Sequence, residues 1–344
     1  MLKLSTLLFF LFISTILSQP KSINYSNWLF GDYAGLKFTL DKADPIEIFS
    51  NIDTLNSDEG ICTFSDDEGK IILCSNGKRL VHFYGDPTRG EYKVFNFNLS
   101  NRITTSTNNT IILQSISDSN QYYIFITGEN WIVSENDKFL YAIFDISLNN
   151  GKGDFVLNLT KIRNVYSEKL AAIYDYGLNK YLILTTNTSL FANDPDDSTD
   201  LYIYTLDENG LDLNPKVINL KRRYSSIGDL KISPDGKYIA ICGYGNQNFG
   251  LYNFDIINQE VNEIYYLYEP QSDVYTFNYY SAEFSNDVNK LYLSFSQKSD
   301  KLYIRNYITQ FDLSLIEDST KFDLSKKNNF TRYSLLCLFK KWFK

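Results

Sequence analysis

Short apolar strands alternate with tight polar turns along most of this chain. One pattern recurs five times: an apolar strand, a turn rich in Gly, Asn and Asp, and then a Lys or Gln that opens a second apolar strand. The copies read ICTFSDDEGKIIL, IILQSISDSNQYYIFIT, LAAIYDYGLNKYLILTT, LKISPDGKYIAIC and SAEFSNDVNKLYLSF, and their turns end at Lys70, Gln121, Lys180, Lys237 and Lys290. Gly and Asn accept the positive φ values that hairpin turns require. The pattern therefore predicts five β-hairpins at intervals of 51 to 59 residues.

A second pattern adds two strands to each repeat. The later hairpins are followed by an aromatic-rich strand, seen in FLYAIFDIS, DLYIYTLDENG, GLYNFDIINQ and KLYIRNYITQFDLS. One more candidate strand, such as 216–220 or 261–267, precedes the next hairpin. Four strands in about 50 to 60 residues are typical of a β-propeller blade. We therefore predict an all-β fold, a β-propeller of four-stranded blades over residues 27–318 with about five blades recognisable. A β-sandwich is the main rival, but it gives no reason for the repeat.

Closure of the ring is left open by the sequence. The segment 28–38 precedes the first hairpin and supplies one or two strands. It either pairs with a strand near 303–313, as in propellers whose ends are tied together, or stays at an open edge of an incomplete ring. We lean narrowly towards an incomplete or irregular ring. Such an edge would favour aggregation or require a partner.

The two ends differ from the repeats. Residues 4–17 form an apolar run of 14 residues between Lys3 and Ser18. A bilayer span needs about 20 residues, so the run fits a secretory signal peptide over residues 1–18 better than an uncleaved anchor. No other stretch reaches about 18 apolar residues, and no transmembrane span is expected in the mature chain. Residues 319–344 show no blade pattern and are predicted to be a non-propeller tail.

Composition and charge narrow the possible partners. The chain has 34 Asn and 8 Ala, with 27 Tyr and 25 Phe, a balance that favours strands over helices. Its formal net charge is -8, which argues against nucleic acid because phosphate binding needs clustered Lys and Arg. There is one His. A secreted or cell-surface location and a protein or glycan partner fit these features best.

Few residues carry recognisable chemistry. His82 is interpreted as structural, since no second His is present to form a ligand pair or relay. The acidic loop 193–200 has oxygen ligands for Ca²⁺ but lacks the Gly and distal Glu of an EF-hand, so a solvated insertion is favoured. The segment 243–245 is interpreted as a turn between strands. We assign no catalytic, cofactor-binding or metal-binding residue, and no cofactor.

Four cysteines raise the question of disulfides in an exported chain. Cys62 and Cys74 flank the first hairpin and face each other if its register centres on Glu68, whereas a shift of one residue places them on opposite faces. Cys242 and Cys337 have no evident partner. A fold of this size does not need bridges, so buried free thiols are favoured. Six N-x-S/T sequons occur, at Asn24, Asn98, Asn108, Asn158, Asn187 and Asn329.

The segments NWLFGDYAGLKF from residue 27 and EGICTFSD from residue 59 suggest a family. With NGKGD from residue 150, SEKLAA from residue 167 and GDLKISPDGK from residue 228, the chain resembles the N-terminal, WD-like β-propeller of large exported Bacteroidetes proteins that carry type IX secretion, gliding-associated sorting domains. The resemblance covers about residues 27–313. It implies no catalytic residues, and the sorting domain of that family is missing here.

We therefore expect a non-catalytic interaction or adhesion module at the cell surface. The alternative is a glycan-active hydrolase or lyase that uses carboxylates near the propeller axis. The two interpretations differ in one observable, because glycosidases need two carboxyl groups about 5 to 9.5 Å apart in a common cleft.

Overall fold

The computed structural model describes residues 27–30, 34–37, 46–49, 60–86, 89–99, 110–128, 138–188, 198–244, 247–268, 275–299 and 304–330. In these residues the chain forms one three-stranded and five four-stranded antiparallel sheets, so the all-β prediction is confirmed. We number the sheets 1 to 6 in chain order. The strands are, in sheet 1, β1 (Asn27–Phe30), β2 (Ala34–Lys37) and β3 (Ile46–Phe49); in sheet 2, β4 (Cys62–Ser65), β5 (Ile71–Ser75), β6 (Arg79–Phe83) and β7 (Tyr92–Asn96); in sheet 3, β8 (Thr110–Gln114), β9 (Gln121–Thr127), β10 (Lys138–Asp145) and β11 (Asp154–Asn164); in sheet 4, β12 (Leu170–Asp175), β13 (Lys180–Asn187), β14 (Asp200–Asp207) and β15 (Gly210–Asn219); in sheet 5, β16 (Leu230–Ile232), β17 (Tyr238–Gly243), β18 (Asn248–Asp255) and β19 (Glu260–Tyr268); and in sheet 6, β20 (Tyr275–Phe284), β21 (Lys290–Ser299), β22 (Ile304–Asp312) and β23 (Lys327–Phe330).

The five predicted hairpins are confirmed as the first two strands of sheets 2 to 6. The aromatic-rich segments form the third strands, and segments 216–220 and 261–267 fall largely within the fourth strands β15 and β19. Two short helical turns accompany the sheets, α1 (Leu148–Gly151) and α2 (Ser319–Leu324), with a 3-10 turn at Leu313–Leu315.

Successive sheets pack face to face in chain order, in a propeller-like arrangement. Five separate hydrophobic clusters fill the five interfaces between neighbouring sheets, from sheets 1 and 2 to sheets 5 and 6. Alternate residues of one strand serve opposite interfaces: Leu73 of β5 packs towards sheet 3, while Cys74 packs towards sheet 1. The first strands of neighbouring sheets also contact each other.

Sheet 6 differs from the sheets before it because one of its faces is polar. In β21, Leu291, Leu293 and Phe295 are buried against sheet 5. The residues between them, such as Tyr292 and Ser294, are partly exposed and belong to no core cluster. One row across this face pairs Glu283, Tyr292, Gln310 and Lys327 in register. In sheet 3, by contrast, β9 is buried at every position after Gln121.

Of the two arrangements left open for the segment 28–38, pairing with a strand near 303–313 is not found among the described residues. β1 pairs with β2, and β22 pairs with β21 and β23 instead. The described residues also contain no hydrophobic cluster between sheets 6 and 1. Sheet 6 continues beyond residue 318, the boundary expected from the sequence, because β23 supplies its fourth strand.

Candidate functional site

A group of charged side chains lies where the first strands of sheets 5 and 6 meet. Asp229 precedes β16, and Lys231 lies two residues later, so both side chains point to the same side of the strand. The Lys231 Nζ is 3.9 Å from Asp229 Oδ2 and 3.6 Å from Glu283 Oε2 of β20. Ser281 Oγ donates a hydrogen bond to Asp229 Oδ2 at 2.9 Å. One ammonium thus lies between two carboxylates contributed by different sheets.

A β-bulge in β20 determines which side chains reach this group. The register shifts by one residue between Tyr279 and Ser281, so Tyr280 has no partner in β21. Tyr279 and Ala282 remain in the hydrophobic core, while Tyr280 and Ser281 both lie outside it and are partly exposed. Bulges commonly redirect a side chain in this way. Tyr280 also contacts Tyr244 edge to face, with ring centroids 5.6 Å apart.

The two carboxylates have different surroundings. The Asp229 side chain is 2% exposed and that of Glu283 is 43% exposed. Burial raises the pKa of Asp229, although Lys231 and Ser281 oppose the change. Attraction by Asp229 and Glu283 raises the pKa of Lys231 and keeps it charged. Since both oxygens neighbour one Nζ, they are at most about 7.5 Å apart, an upper bound that lies below the largest separation of glycosidase carboxyl pairs.

Lys169 joins sheet 4 to the segment that leads into sheet 5. Its Nζ donates to the carbonyl oxygens of Ser225, Ser226 and Ile227 at 2.7, 3.3 and 2.9 Å. The residue is fully buried, and burial lowers the pKa of Lys169 to about 8. Because an ammonium has three donors, these three acceptors use all of them. Lys169 therefore has the contacts of a structural residue.

Backbone hydrogen bonds fix the segment 225–229 from its other sides. The Asp229 N–H donates to the Tyr280 carbonyl at 2.9 Å, and the Tyr244 N–H donates to the Ile227 carbonyl at 3.2 Å. Gly228 has a φ of +108°, and a Cβ there would lie 2.7 Å from the Cys242 carbonyl oxygen. Only glycine fits this approach without strain. The charged group and the tyrosine pair are thus held on a rigid frame.

The residues considered from the sequence lie elsewhere or belong to packing. His82 is in β6, between β5 and β7 rather than at the edge of the sheet, and is 3% exposed. Its Nδ1 lies 3.1 Å from the Lys152 carbonyl oxygen, and since a carbonyl can only accept, Nδ1 carries the proton. Tyr244 lies in the turn after β17, as the sequence predicts, while Gly245 is outside the described residues. So are residues 193–197 of the acidic loop, all of 1–18 and 331–344, and the sequon residues Asn24 and Asn108.

The register of the first hairpin answers the disulfide question. Thr63 pairs with Cys74, and Cys62 pairs with Ser75, so the two cysteines point to opposite faces of sheet 2. Cys62, Cys74 and Cys242 are free thiols. Burial raises the pKa of Cys62 to about 11, so its thiol stays protonated at neutral pH.

Sequence reasoning did not single out Lys231, Glu283 or Tyr280. A signal was present for one of them, because Lys231 interrupts the apolar stretch Leu230 to Ile232 at a strand position. The contact with Glu283 is not visible in the sequence, since it depends on how sheets 5 and 6 pack. The bulge at Tyr280 also depends on pairing with β21.

The described residues contain no group of three or more His, Cys, Asp or Glu that could hold a metal ion. The described part of the chain also contains no helix of the length and hydrophobicity that crossing a bilayer requires.

No protein-family model matches the chain, and no curated protein matches it. Several solved structures align with the chain at low identity. A 6-phosphogluconolactonase-like protein from Bacteroides uniformis aligns over 83% of this chain and 78% of its own, with 10% identity and a TM-score of 0.46. An exo-β-1,3-galactanase from Phanerochaete chrysosporium aligns over 59% of this chain and 46% of its own, with 13% identity and a TM-score of 0.34. A luciferin-regenerating enzyme aligns over 78% of this chain and 89% of its own, with 12% identity and a TM-score of 0.38. This chain thus matches about half the length of the galactanase, and these neighbours are enzymes on propeller-like folds.

Proposed function

We propose that this chain is an exported β-propeller module that binds a protein or glycan at the cell surface without catalysing a reaction. The observation that carries the proposal is the placement of Lys231 and Glu283, whose side chains are 32% and 43% exposed beside the buried Asp229. An ion pair this exposed contributes about 0 to 1 kcal/mol to folding. Fold stability therefore gives little reason for the Lys231–Glu283 pair, whereas recognition of a partner does.

The proposal includes a propeller with an incomplete or irregular ring, export from the cell, and a location at the cell surface. Five interfaces in chain order support treating the six sheets as propeller blades, with an incomplete or irregular ring. The apolar segment 4–17 supports export, and the sequence resemblance to exported Bacteroidetes propellers supports a surface location. In propellers, loops from several blades converge near the axis and provide binding residues.

A binding titration on intact cells tests the proposal. Fluorescently labelled chain is added to cells of the producing organism, and bound label is measured by flow cytometry. We expect saturable binding that falls about tenfold in affinity, or about 1.4 kcal/mol, when Lys231→Gln and Glu283→Gln are combined. Lys161→Ala, at an exposed position of β11, is the control and should bind as the wild type does. Equal binding by the double variant would contradict the proposal.

One observation favours the second candidate, a glycan-active hydrolase or lyase. The Asp229 and Glu283 oxygens lie at most about 7.5 Å apart, and burial raises the pKa of Asp229, as in enzymes that separate an acid from a base by environment. The burial of Asp229 argues against this role, because a catalytic acid must reach the glycosidic oxygen.

A hydrolysis assay separates the two candidates. Wild type, Asp229→Asn and Glu283→Gln are incubated with soluble polysaccharides, and new reducing ends and unsaturated products are measured. A binding module releases none with any of the three proteins. Release by the wild type that both substitutions abolish would establish the enzyme instead.

A further inference from the structure

We infer that the surface formed by Lys231, Tyr244, Tyr280 and Glu283, which we call the inner ledge, binds a neutral saccharide. The inference rests on the proposed function and specifies the ligand class for that site. It starts from the chemistry of these four side chains: two partly exposed aromatic rings, one partly exposed carboxylate and one partly exposed ammonium. Tyr280 lies three residues before Glu283 in β20, and its carbonyl accepts from the N–H of Asp229, two residues before Lys231. Ligand sites typically combine aromatic surface with a few fixed polar groups.

The two tyrosines provide a rigid apolar surface with polar tips. Their rings meet at 5.6 Å with an interplanar angle of 84°. Tyr280 is held by the bulge in β20, and the Tyr244 backbone is held by its hydrogen bond to Ile227. Tyrosine side chains lose little conformational entropy on binding because they have few rotatable bonds. Such a surface suits a sugar ring, which has apolar C–H faces and hydroxyl groups at its edge.

Lys231 and Glu283 supply the complementary polar contacts. A hydroxyl group can donate to the Glu283 carboxylate and accept from the Lys231 ammonium at the same time. These two groups lie 3.6 Å apart, a spacing that two neighbouring hydroxyls of one sugar can span. Asp229, which accepts a hydrogen bond from Ser281, anchors Lys231 from its buried side.

The net negative charge around the ledge favours neutral saccharides over anionic ones. Asp229 and Glu283 carry two negative charges against the one positive charge of Lys231, and the whole chain carries -8. A sulfated or carboxylated polysaccharide would therefore be repelled, since like charges placed together oppose binding. A neutral saccharide meets no such penalty.

Affinity electrophoresis of the full chain tests the inference. Native gels contain one soluble polysaccharide each: laminarin, galactan or mannan as neutral probes, and heparin as the anionic probe. We expect at least one neutral polysaccharide to retard the wild type and heparin not to do so. Tyr280→Ala and Glu283→Gln should each weaken this retardation about tenfold. Glu283→Gln serves if Tyr280→Ala fails to fold, because the Glu283 side chain is 43% exposed.

Tyr176→Ala is the matched control, since Tyr176 is 52% exposed and lies in the turn between β12 and β13, away from the ledge. It should be retarded as strongly as the wild type. Retardation by heparin alone, by no neutral polysaccharide, or equally for Tyr280→Ala and Glu283→Gln would overturn the inference. The proposed function would still stand if the cell-binding titration succeeded, because that titration also detects a protein partner.

Discussion

Two interfaces between neighbouring sheets are held by different contacts. Between sheets 2 and 3 the contact, which we call the neutral lock, is uncharged: His82 packs against the Phe144 ring, with ring centroids 5.7 Å apart, and its Nδ1 donates a hydrogen bond to the Lys152 carbonyl. Between sheets 4 and 5 the contact, which we call the charged lock, is made by the Lys169 ammonium, which donates hydrogen bonds to three carbonyls. The neutral lock lies near the third strands and the charged lock near the start of the first strand.

Position explains the difference. First strands of adjacent sheets contact one another, so backbones there are close and a long, thin side chain reaches carbonyl groups easily. Further from the first strands, aromatic rings fill the interface, and Phe144 also contacts Phe95 and Phe155 edge to face. Interfaces between these repeated sheets thus use polar contacts near the first strands and aromatic packing near the third strands.

Removing the charged lock should have the largest effect. Lys169→Ala leaves three carbonyls without their shared donor and removes the positive charge that attracts Glu168, which should destabilise the fold by about 3 to 5 kcal/mol. Urea unfolding followed by fluorescence measures the change. Lys161→Ala, at an exposed position, should leave the midpoint nearly unchanged. A loss below about 1 kcal/mol for Lys169→Ala would show that the charge is not a lock.

The neutral lock depends on a glycine. Gly153 has a φ of +76°, and a Cβ there would overlap the Phe144 ring and lie 3.0 Å from His82 Nδ1. Gly153→Ala should therefore destabilise the fold by about 3 kcal/mol, through both overpacking and backbone strain. Gly151→Ala is the matched control, since Gly151 has a φ of +78° but open space around it. It should cost only about 1 kcal/mol. Equal losses would mean that contact with Phe144 does not matter.

Acid should weaken the neutral lock. Burial lowers the pKa of His82 below its ordinary 6.5, so the unfolded chain binds a proton more readily than the folded one. The His82 contribution to stability is thus complete above about pH 6.5 and is lost as the pH falls below it. The urea midpoint should drop between about pH 7 and about pH 5.5, and drop less in His82→Gln. Identical pH profiles for the two proteins would contradict this assignment.

The exposed ion pair should contribute least to stability. Glu283→Gln removes one partner of Lys231 while Asp229 remains, so the unfolding free energy should change by less than about 1 kcal/mol. Thermal unfolding measures this. A loss of about 3 kcal/mol would place Glu283 with Lys169 among the structural residues and would weaken the case for a binding role.

Local sequence patterns were sufficient for the hairpins. Gly69 and Gly236 have positive φ in their turns, and apolar strands flank them, so both signals lie within about 15 residues of sequence. The same reasoning missed β23, because Lys327–Phe330 is short and polar and becomes a strand by pairing with β22. Strand identity there is set by tertiary pairing rather than by composition.

The candidate site was harder to predict than the fold. Glu283 and Lys231 are 52 residues apart, and their 3.6 Å contact depends on the relative position of two sheets. The disulfide alternatives differed by one residue of register, which the sequence pattern around Glu68 does not determine. The contacts of the candidate site arise between neighbouring sheets, and sequence periodicity carries no information about them.

The polar face of sheet 6 has a consequence for how repeats of this kind multiply. Duplicating a middle unit would place a new sheet against Ser294, Tyr292 and Gln310, whose polar groups would lose their contact with water on burial. An added unit would gain hydrophobic stabilisation only after several of these positions had changed to apolar residues. Growth of such an array by tandem duplication is therefore easier between sheets 2 and 5 than after sheet 6. A designer who wishes to lengthen it should insert units in the middle.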